Sequence, residues 1–496
     1  KAGGNALDAA VAACAVQCVV EPESTGIGGD CFCLLSKGGS ADLVAYNGSG
    51  KAPAAANAAW YRERGITSIV EHSPHAVTVP GAIDAWERLL ADHGTKGLDE
   101  LLRPAIGYAR EGYPIGSRVH ADFAAKVEHL QADANAARIF LPGGRPPPVG
   151  SRHRQPELAE TLERIARRGR AEFYEGETAR DIVAYLRERG GLHTLEDFAG
   201  YRGEYVTPIA SEFRGHLVHE CPPNGQGVIA LLLLNVMQGV PLGEGGPITL
   251  ERLHTEIEAG RMAYAARDAW VADPALAEVP TEALLSMEYA ERLRAAIDPT
   301  RAQEPARLIE LPRHPSTVYI SVVDRDGNAC SFINTLFENF GTGLVSPSGV
   351  VLHSRGNGFS LDPESPNRIE GGKRPMHTII PGMVSKDGRV VMPFGVMGGQ
   401  YQAQGHMQFL TRLFDYGLDI QEAMDAPRFF PDPFIGHVDM EFTVPEAIRD
   451  GLTARGHRIR HAPKPLGGSQ AIWIDRDQGV LTAGSDPRKD GCAMGY

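Results

Sequence analysis

What this sequence lacks excludes several functions. Its longest apolar stretch, residues 228–237, is about half of the ~20 residues that a membrane-crossing helix needs. Positive charge is short as well: 49 Lys and Arg stand against 62 Asp and Glu, a formal net charge of −13. Such a chain gains nothing from the counterion release that drives proteins onto nucleic acids. The one basic stretch, residues 164–170, reads as a solvated helix face. Cysteine is sparse and odd in number: Cys14, Cys18, Cys31, Cys33, Cys221, Cys330 and Cys492 show neither a disulfide framework nor zinc-ribbon spacing. Cys31 and Cys33 are read as pointing to opposite faces of a strand. Buried thiols predict a reducing compartment, the cytoplasm. A periplasmic or secreted location stays open, because the chain begins at Lys1 and its start is read as clipped, missing a strand and part of a helix. Also missing are a Gly-x-Ser-x-Gly elbow, a Walker A loop and a His-Glu-x-x-His pair. His72 and His75 have no third partner and read as loop histidines, so no metal and no cofactor are expected.

What is present fits a large folded protein. A chain of 496 residues predicts two joined lobes or one large α/β domain. A hydrophobic fraction of 43% and a charged fraction of 22% are ordinary for a globular chain. Residues 6–20 read as a buried helix, followed by a turn-rich segment and strands at 31–35 and 43–46. Residues 81–110, 156–168, 178–189 and 250–270 show helical spacing, so that 81–300 reads as mostly helical, with a Pro/Gly loop at 141–150. The character changes near residue 315. Strands are expected at 317–323, 329–333, 350–352, 390–393 and 471–474, with helices at 407–416 and 420–426. Asp326-Gly327 supplies a hairpin turn. Strands at both ends with helices between predict sheets covered by helices that close only when the ends meet.

Within that region stands Ser316-Thr317-Val318-Tyr319-Ile320-Ser321-Val322-Val323-Asp324-Arg325-Asp326-Gly327-Asn328. As bare pattern it is a hairpin, and Thr317 is a strand threonine. The segment resembles the start of the small subunit of gamma-glutamyltransferases, usually Thr-Thr-x-x-Ser-Val-Val-Asp-x-x-Gly-Asn. Other blocks resemble that family in the same order: Gly3-Gly4-Asn5-Ala6-Leu7-Asp8-Ala9-Ala10, Phe173-Tyr174-Glu175-Gly176, Pro222-Pro223-Asn224-Gly225-Gln226-Gly227, Lys373-Arg374-Pro375-Met376-His377-Thr378 and Gly395-Val396-Met397-Gly398-Gly399. The likeness spans essentially the whole chain.

The resemblance implies an α+β fold, the four-layer αββα sandwich of N-terminal-nucleophile (Ntn) hydrolases. It implies a precursor cut between Ser316 and Thr317 into a large subunit, residues 1–316, and a small one, 317–496. A freed Thr317 would use its own α-amine, with an ordinary pKa of about 7.7–8.0, as the base for its hydroxyl. By position, Thr335 matches the threonine that orients the nucleophile, Gly398 and Gly399 the oxyanion-hole glycines, and His377 and Thr378 a serine pair near the substrate carboxylate. The expected partners are a small-molecule amide and the two subunits of one precursor; a pair of such heterodimers stays open.

Several positions depart from the family. Ser49 stands where an arginine takes the γ-glutamyl carboxylate. In Ser354-Arg355-Gly356-Asn357-Gly358-Phe359-Ser360, Gly358 replaces an ammonium-binding aspartate and Arg355 an uncharged or acidic residue. Phe337 replaces an asparagine. The ammonium-binding groups are gone and a cation has entered, so Arg355, with Asn357, His377 and Thr378, is expected to hold an acyl group bearing a carboxylate and no α-amine. Oxamate-like, dicarboxylic-monoamide or cephalosporin-acylase chemistry fits. The alternatives are an Arg355 ion pair with Glu364 or Asp362, a γ-glutamyl hydrolase or transferase with a rebuilt pocket, and a processed but inert binding protein.

Overall fold

The computed structural model describes residues 2–303, 315–433 and 435–495. Two antiparallel sheets carry the architecture. Their strands, in chain order, are β1 (Asp30–Ser36), β2 (Leu43–Gly48), β3 (Glu204–Val206), β4 (Ile209–Phe213), β5 (His216–Glu220), β6 (Pro315–Val323), β7 (Ala329–Glu338), β8 (Gly382–Lys386), β9 (Arg389–Met397), β10 (Gly468–Asp475) and β11 (Val480–Ser485). The five-stranded sheet runs β3-β2-β1-β7-β6 and the six-stranded sheet β11-β10-β9-β8-β5-β4.

Alternation along the strands sorts side chains into layers. Phe32, Leu34, Tyr319, Ile333, Met383 and Val390 fill the space between the sheets. Cys31, Cys33 and Leu35 face outward into a second cluster with the helices Ala6–Val20 and Ala82–His93. Cys31 and Cys33 therefore share one face, as residues two apart in a strand must, which corrects the opposite-face reading. Helices Gly227–Gln238 and Gln402–Tyr416 cover the other sheet. The apolar stretch at 228–237 lies in the first of these, and it is buried on every side, which accounts for its unbroken hydrophobicity. The result is helix, sheet, sheet, helix. At Gly395 the sheets approach so closely that a Cβ there would lie 2.4 Å from the Tyr319 ring.

Local chemistry sets the ends of the elements. Asn5 and Asp8 form a capping box at the start of Ala6–Val20, and the Ala6 N–H donates to Asp324 Oδ2 at 2.9 Å. Asp324 also accepts from the Asp326 and Asn328 amides, so one carboxylate shapes the β6–β7 hairpin and caps a helix from the far end of the chain. Gly327, at φ 77°, supplies the expected turn.

Three expectations change. The helical pattern at 81–110 is broken into Ala82–His93, Leu98–Leu101 and Arg103–Glu111, the first break falling where Gly94 ends the helix. The helical reading of 81–300 overlooks β3, β4 and β5. The β4–β5 turn uses Arg214 at φ 51° beside Gly215, and an arginine in that conformation leaves no turn signal in the sequence. The strand expected at 350–352 makes only isolated bridges, Gly28 to Leu352 and Val345 to Val351.

Gly29 marks the tightest approach in the five-stranded sheet, where a Cβ would stand 2.1 Å from the Thr335 carbonyl oxygen. Gly29→Ala is expected to push β1 from β7 and to cost about 2–3 kcal/mol in denaturant unfolding. An unchanged midpoint would show that the backbone yields there.

Candidate active site

Thr317 lies on β6 opposite Thr335 on β7, with a register shift between Ser316 and Thr317. Their hydroxyls are 3.0 Å apart and both residues are buried. The Phe337 N–H donates to Thr335 Oγ1 at 2.9 Å, which fixes the direction of that oxygen. An oriented hydroxyl beside a buried strand threonine is what a threonine nucleophile needs.

The turn at Gly398 and Gly399 opens the helix Gln402–Tyr416 through a short 3-10 turn that packs on β6. Both glycines have positive φ, 137° and 54°. A Cβ on Gly398 would meet Gly467 Cα at 2.9 Å, so the site admits only glycine without adjustment. Backbone N–H groups at a helix start suit a developing oxyanion. A cleft lies over this turn, walled by Asn339, Tyr401, Leu466, Gly467 and Lys489.

Gln226 joins this turn to the neighbouring loop. Its Nε2 donates to the Gly399 and Thr378 carbonyls, both at 2.9 Å, and its own N–H donates to the His377 carbonyl. Asn224 bridges Ser49 Oγ at 3.0 Å and the Pro375 carbonyl at 2.7 Å. The block at 222–227 thus acts as a clasp between loops. The sequence showed the block but not its task, because the task depends on loops far away in the chain.

Arg355 is 1% exposed. Its guanidinium stacks on the Phe337 ring, 3.8 Å from Cζ to the centroid, and Nη1 donates to Thr378 Oγ1 at 3.2 Å. Among the described residues, Nε and Nη2 have no hydrogen-bond partner. Burial pushes the guanidinium down to about 9, against the pull of Asp30 and Glu338, so it is a cation at neutral pH. The alternative ion pair does not form: Asp362 and Glu364 are exposed, and Asp362 accepts the Glu364 N–H instead.

Of the residues expected at the substrate, one is committed elsewhere and one is committed in part. His377 is fully buried; Nε2 bonds Asp30 Oδ2 at 3.0 Å and Nδ1 accepts the Ile379 N–H, so neither nitrogen is left for a ligand. Burial holds its pKa at about 3, keeping the ring neutral. Asn357 donates its amide N–H to the Ile69 carbonyl, while among the described residues its buried Oδ1 has no partner. Thr378 remains, buried and bonded to Arg355. The residue that sequence reasoning missed is Asp30. The Gly28-Gly29-Asp30 run signals only a turn, yet this carboxylate is fully buried, bonded to His377, with Thr335 as its partner across the β1–β7 ladder.

The sandwich and the threonine pair define the class, an Ntn hydrolase. The chain belongs to the gamma-glutamyltranspeptidase family, whose sequence pattern matches residues 1–496. It is 36% identical to the glutathione hydrolase-like YwrD proenzyme of Bacillus subtilis (strain 168), over 99% of this chain and 94% of that one. It is 32% identical to the oxamate amidohydrolase proenzyme of Klebsiella pneumoniae subsp. pneumoniae, over 100% and 94%. A solved cephalosporin acylase from Bacillus halodurans superposes with a TM-score of 0.93 at 39% identity, covering 100% of this chain and 92% of that structure. The protein is accordingly an enzyme of amide bonds, and its proenzyme relatives imply a precursor cleaved into two subunits.

The buried histidines make stability depend on pH. His377 and His406 are held at about 3, and His153 and His193 at about 4, mainly by burial. Below their ordinary value of about 6.5 the unfolded chain binds protons that the folded chain refuses, so stability falls with pH by about 1 kcal/mol per unit for each such ring. Asp30, held below the usual carboxylate range by His353 and His377 despite its burial, loses its contribution at still lower pH. Denaturant midpoints are expected to drop steeply from pH 6.5 to pH 4.5; a flat profile would show these rings to be protonated in the fold.

Proposed function

We propose that the chain is a self-processing amidohydrolase that cuts itself before Thr317 and then hydrolyses small amides through an acyl-Thr317 intermediate. The acyl group carries a carboxylate and no α-amine, as in oxamate or a dicarboxylic monoamide. The carrying observation is Arg355, a buried cation with two unpartnered nitrogens, stacked on Phe337, whose N–H is bonded to Thr335. An unpaired buried charge costs several kcal/mol, which an entering carboxylate can offset with two charge-assisted bonds. Nothing comparable awaits an ammonium: Gly358 has no side chain, and a guanidinium repels it.

The reaction follows in ordinary steps. In the precursor, Thr317 Oγ attacks the Ser316 carbonyl carbon; the peptide C–N bond breaks and the nitrogen takes the proton, giving an ester that water opens. The freed α-amine then takes the hydroxyl proton as Thr317 attacks the substrate amide. The N–H groups of Gly398 and Gly399 hold the oxyanion, an interaction typically worth about 3 kcal/mol per donor. The amine leaves with a proton, and water releases the acid.

The first test of this reading is the denatured mass. Wild type yields chains matching residues 1–316 and 317–496, and Thr317→Ala stays whole; a cut elsewhere, or a cut in the variant, overturns the nucleophile. The second compares succinamate with butyramide, which replaces the carboxylate by a methyl group. Arg355→Ala is expected to raise KM for succinamate about 100-fold, the worth of two charged hydrogen bonds, and to change butyramide hydrolysis little. The relative named glutathione hydrolase-like favours a γ-glutamyl substrate. Hydrolysis of glutathione above that of succinamate, unaltered in Arg355→Ala, would establish that alternative.

A further inference from the structure

Arg355 raises a question that its own contacts do not answer: what keeps an unpaired cation charged and correctly aimed before substrate arrives. The nearest strong clue is Asp30, whose carboxylate is fully buried. Its Oδ1 accepts the Gly50 N–H at 2.9 Å and the Gly81 N–H at 3.3 Å. Its Oδ2 accepts from His377 Nε2 at 3.0 Å and faces His353 Nδ1 at 3.5 Å. The His377 assignment is internally consistent, since Nδ1 of that ring receives the Ile379 N–H and the proton must sit on Nε2.

Three of these four contacts lie within two residues of Ser49, Thr378 or Arg355. Gly50 follows Ser49. His377 precedes Thr378, the hydroxyl that meets Arg355. His353 lies two residues before Arg355, and its Nε2 is anchored at the Thr78 carbonyl, 2.9 Å away. Asp30 itself is paired across β1 and β7 with Thr335, the residue against the nucleophile. One carboxylate therefore ties three pocket segments to the strand that orients Thr317. It does so without touching the guanidinium, although its charge, together with that of Glu338, favours the cationic form of Arg355.

We propose that Asp30 is the positioning residue of the acyl pocket: it fixes the segments around Arg355 and balances that charge from a distance, leaving Nε and Nη2 open to an incoming carboxylate. A carboxylate in direct contact would hold the same cation but occupy the donors that the substrate requires. The two histidines take up Oδ2 of Asp30 instead.

The inference rests on the anionic-acyl reading, so the experiment separates the two. Processed wild type, Arg355→Ala and Asp30→Asn are assayed on succinamate and butyramide. Asp30→Asn keeps an oxygen for the Gly50 and Gly81 amides and removes the charge. KM for succinamate is expected to rise about tenfold, the scale of a buried charge acting across several ångströms, with kcat and butyramide hydrolysis nearly unchanged. An equal loss on both amides, or a fall in kcat alone, makes Asp30 a structural residue and overturns the proposal. An Arg355→Ala variant that fails to separate the amides overturns the anionic-acyl reading itself. Should Asp30→Asn fail to yield two chains, His353→Gln is measured in its place, removing the ring nitrogen that faces Asp30 while the carboxylate stays. KM for succinamate then rises about threefold, since one of the four contacts is lost, and butyramide is unaffected; equal effects on both again overturn the proposal.

Discussion

Strand β1 lies near the start of the chain and β7 far beyond its middle, yet they pair from Asp30–Thr335 to Ser36–Ala329. All ten residues of β7 are buried. Closing so long a loop costs entropy that grows only slowly with length, and the buried ladder with its two flanking cores offsets it. The site depends on this pairing, which sets Asp30 opposite Thr335 and Thr335 against Thr317. A break before Thr317 leaves the pairing of Thr317, and of every later residue in β6, intact. Pro315, opposite Glu338, and Ser316, opposite Phe337, lie on the other side of that position. Under the proposed cut, Thr317 keeps its alignment while its amine is freed.

Charge is handled beneath the pocket in an unusual order. Buried ions are ordinarily paired directly, because desolvating each alone costs several kcal/mol. Here Asp30 accepts from the Gly50 amide and from neutral His377, while Arg355 meets an aromatic face and one hydroxyl. The field of the carboxylate reaches the guanidinium through a low-dielectric interior, where separation weakens attraction less than it would in water. Such an arrangement is less stable than a closed ion pair. It is the one that leaves a cation able to gain more from a ligand than from the protein.

The sequence made the architecture legible where patterns were local. The helix at Ala6–Val20 and the β6–β7 hairpin with Gly327 follow from spacing and turn chemistry, as does the existence of a helix at 250–270, though it buries Arg252, Glu256, Glu258 and Arg267 rather than showing the polar face expected of an amphipathic helix. The blocks at 222–227, 373–378 and 395–399 pointed to segments that the fold then gathered into one place. What stayed hidden was long-range. Nothing near Asp30 announces that Gly50, Gly81, His353 and His377 will converge on it. His377 looked available for substrate because a sequence does not show that both ring nitrogens are spent. β4 and β5 were missed because their turn relies on Arg214 in a conformation that its side chain disfavours.

Phe337 shows how such a pocket changes as a unit. It sits at φ 76°, a conformation that asparagine tolerates better than phenylalanine, at a cost of about 1–2 kcal/mol. The strain persists because the surroundings hold it: the Phe337 N–H is tied to Thr335, and its ring supports Arg355. Arg355 in turn needs that ring, since it has one hydrogen bond of its own. Ser49 carries no charge; its hydroxyl accepts from Asn224 and its carbonyl from Arg374, whose guanidinium is paired with Glu204. Gly358 brings no side chain that could hold an ammonium. Reverting position 337 to asparagine would strip Arg355 of the ring that supports it. Under the proposed anionic-acyl reading, selectivity rests with Arg355 and the loops around Asp30 rather than with the strand pair that carries Thr317 and Thr335.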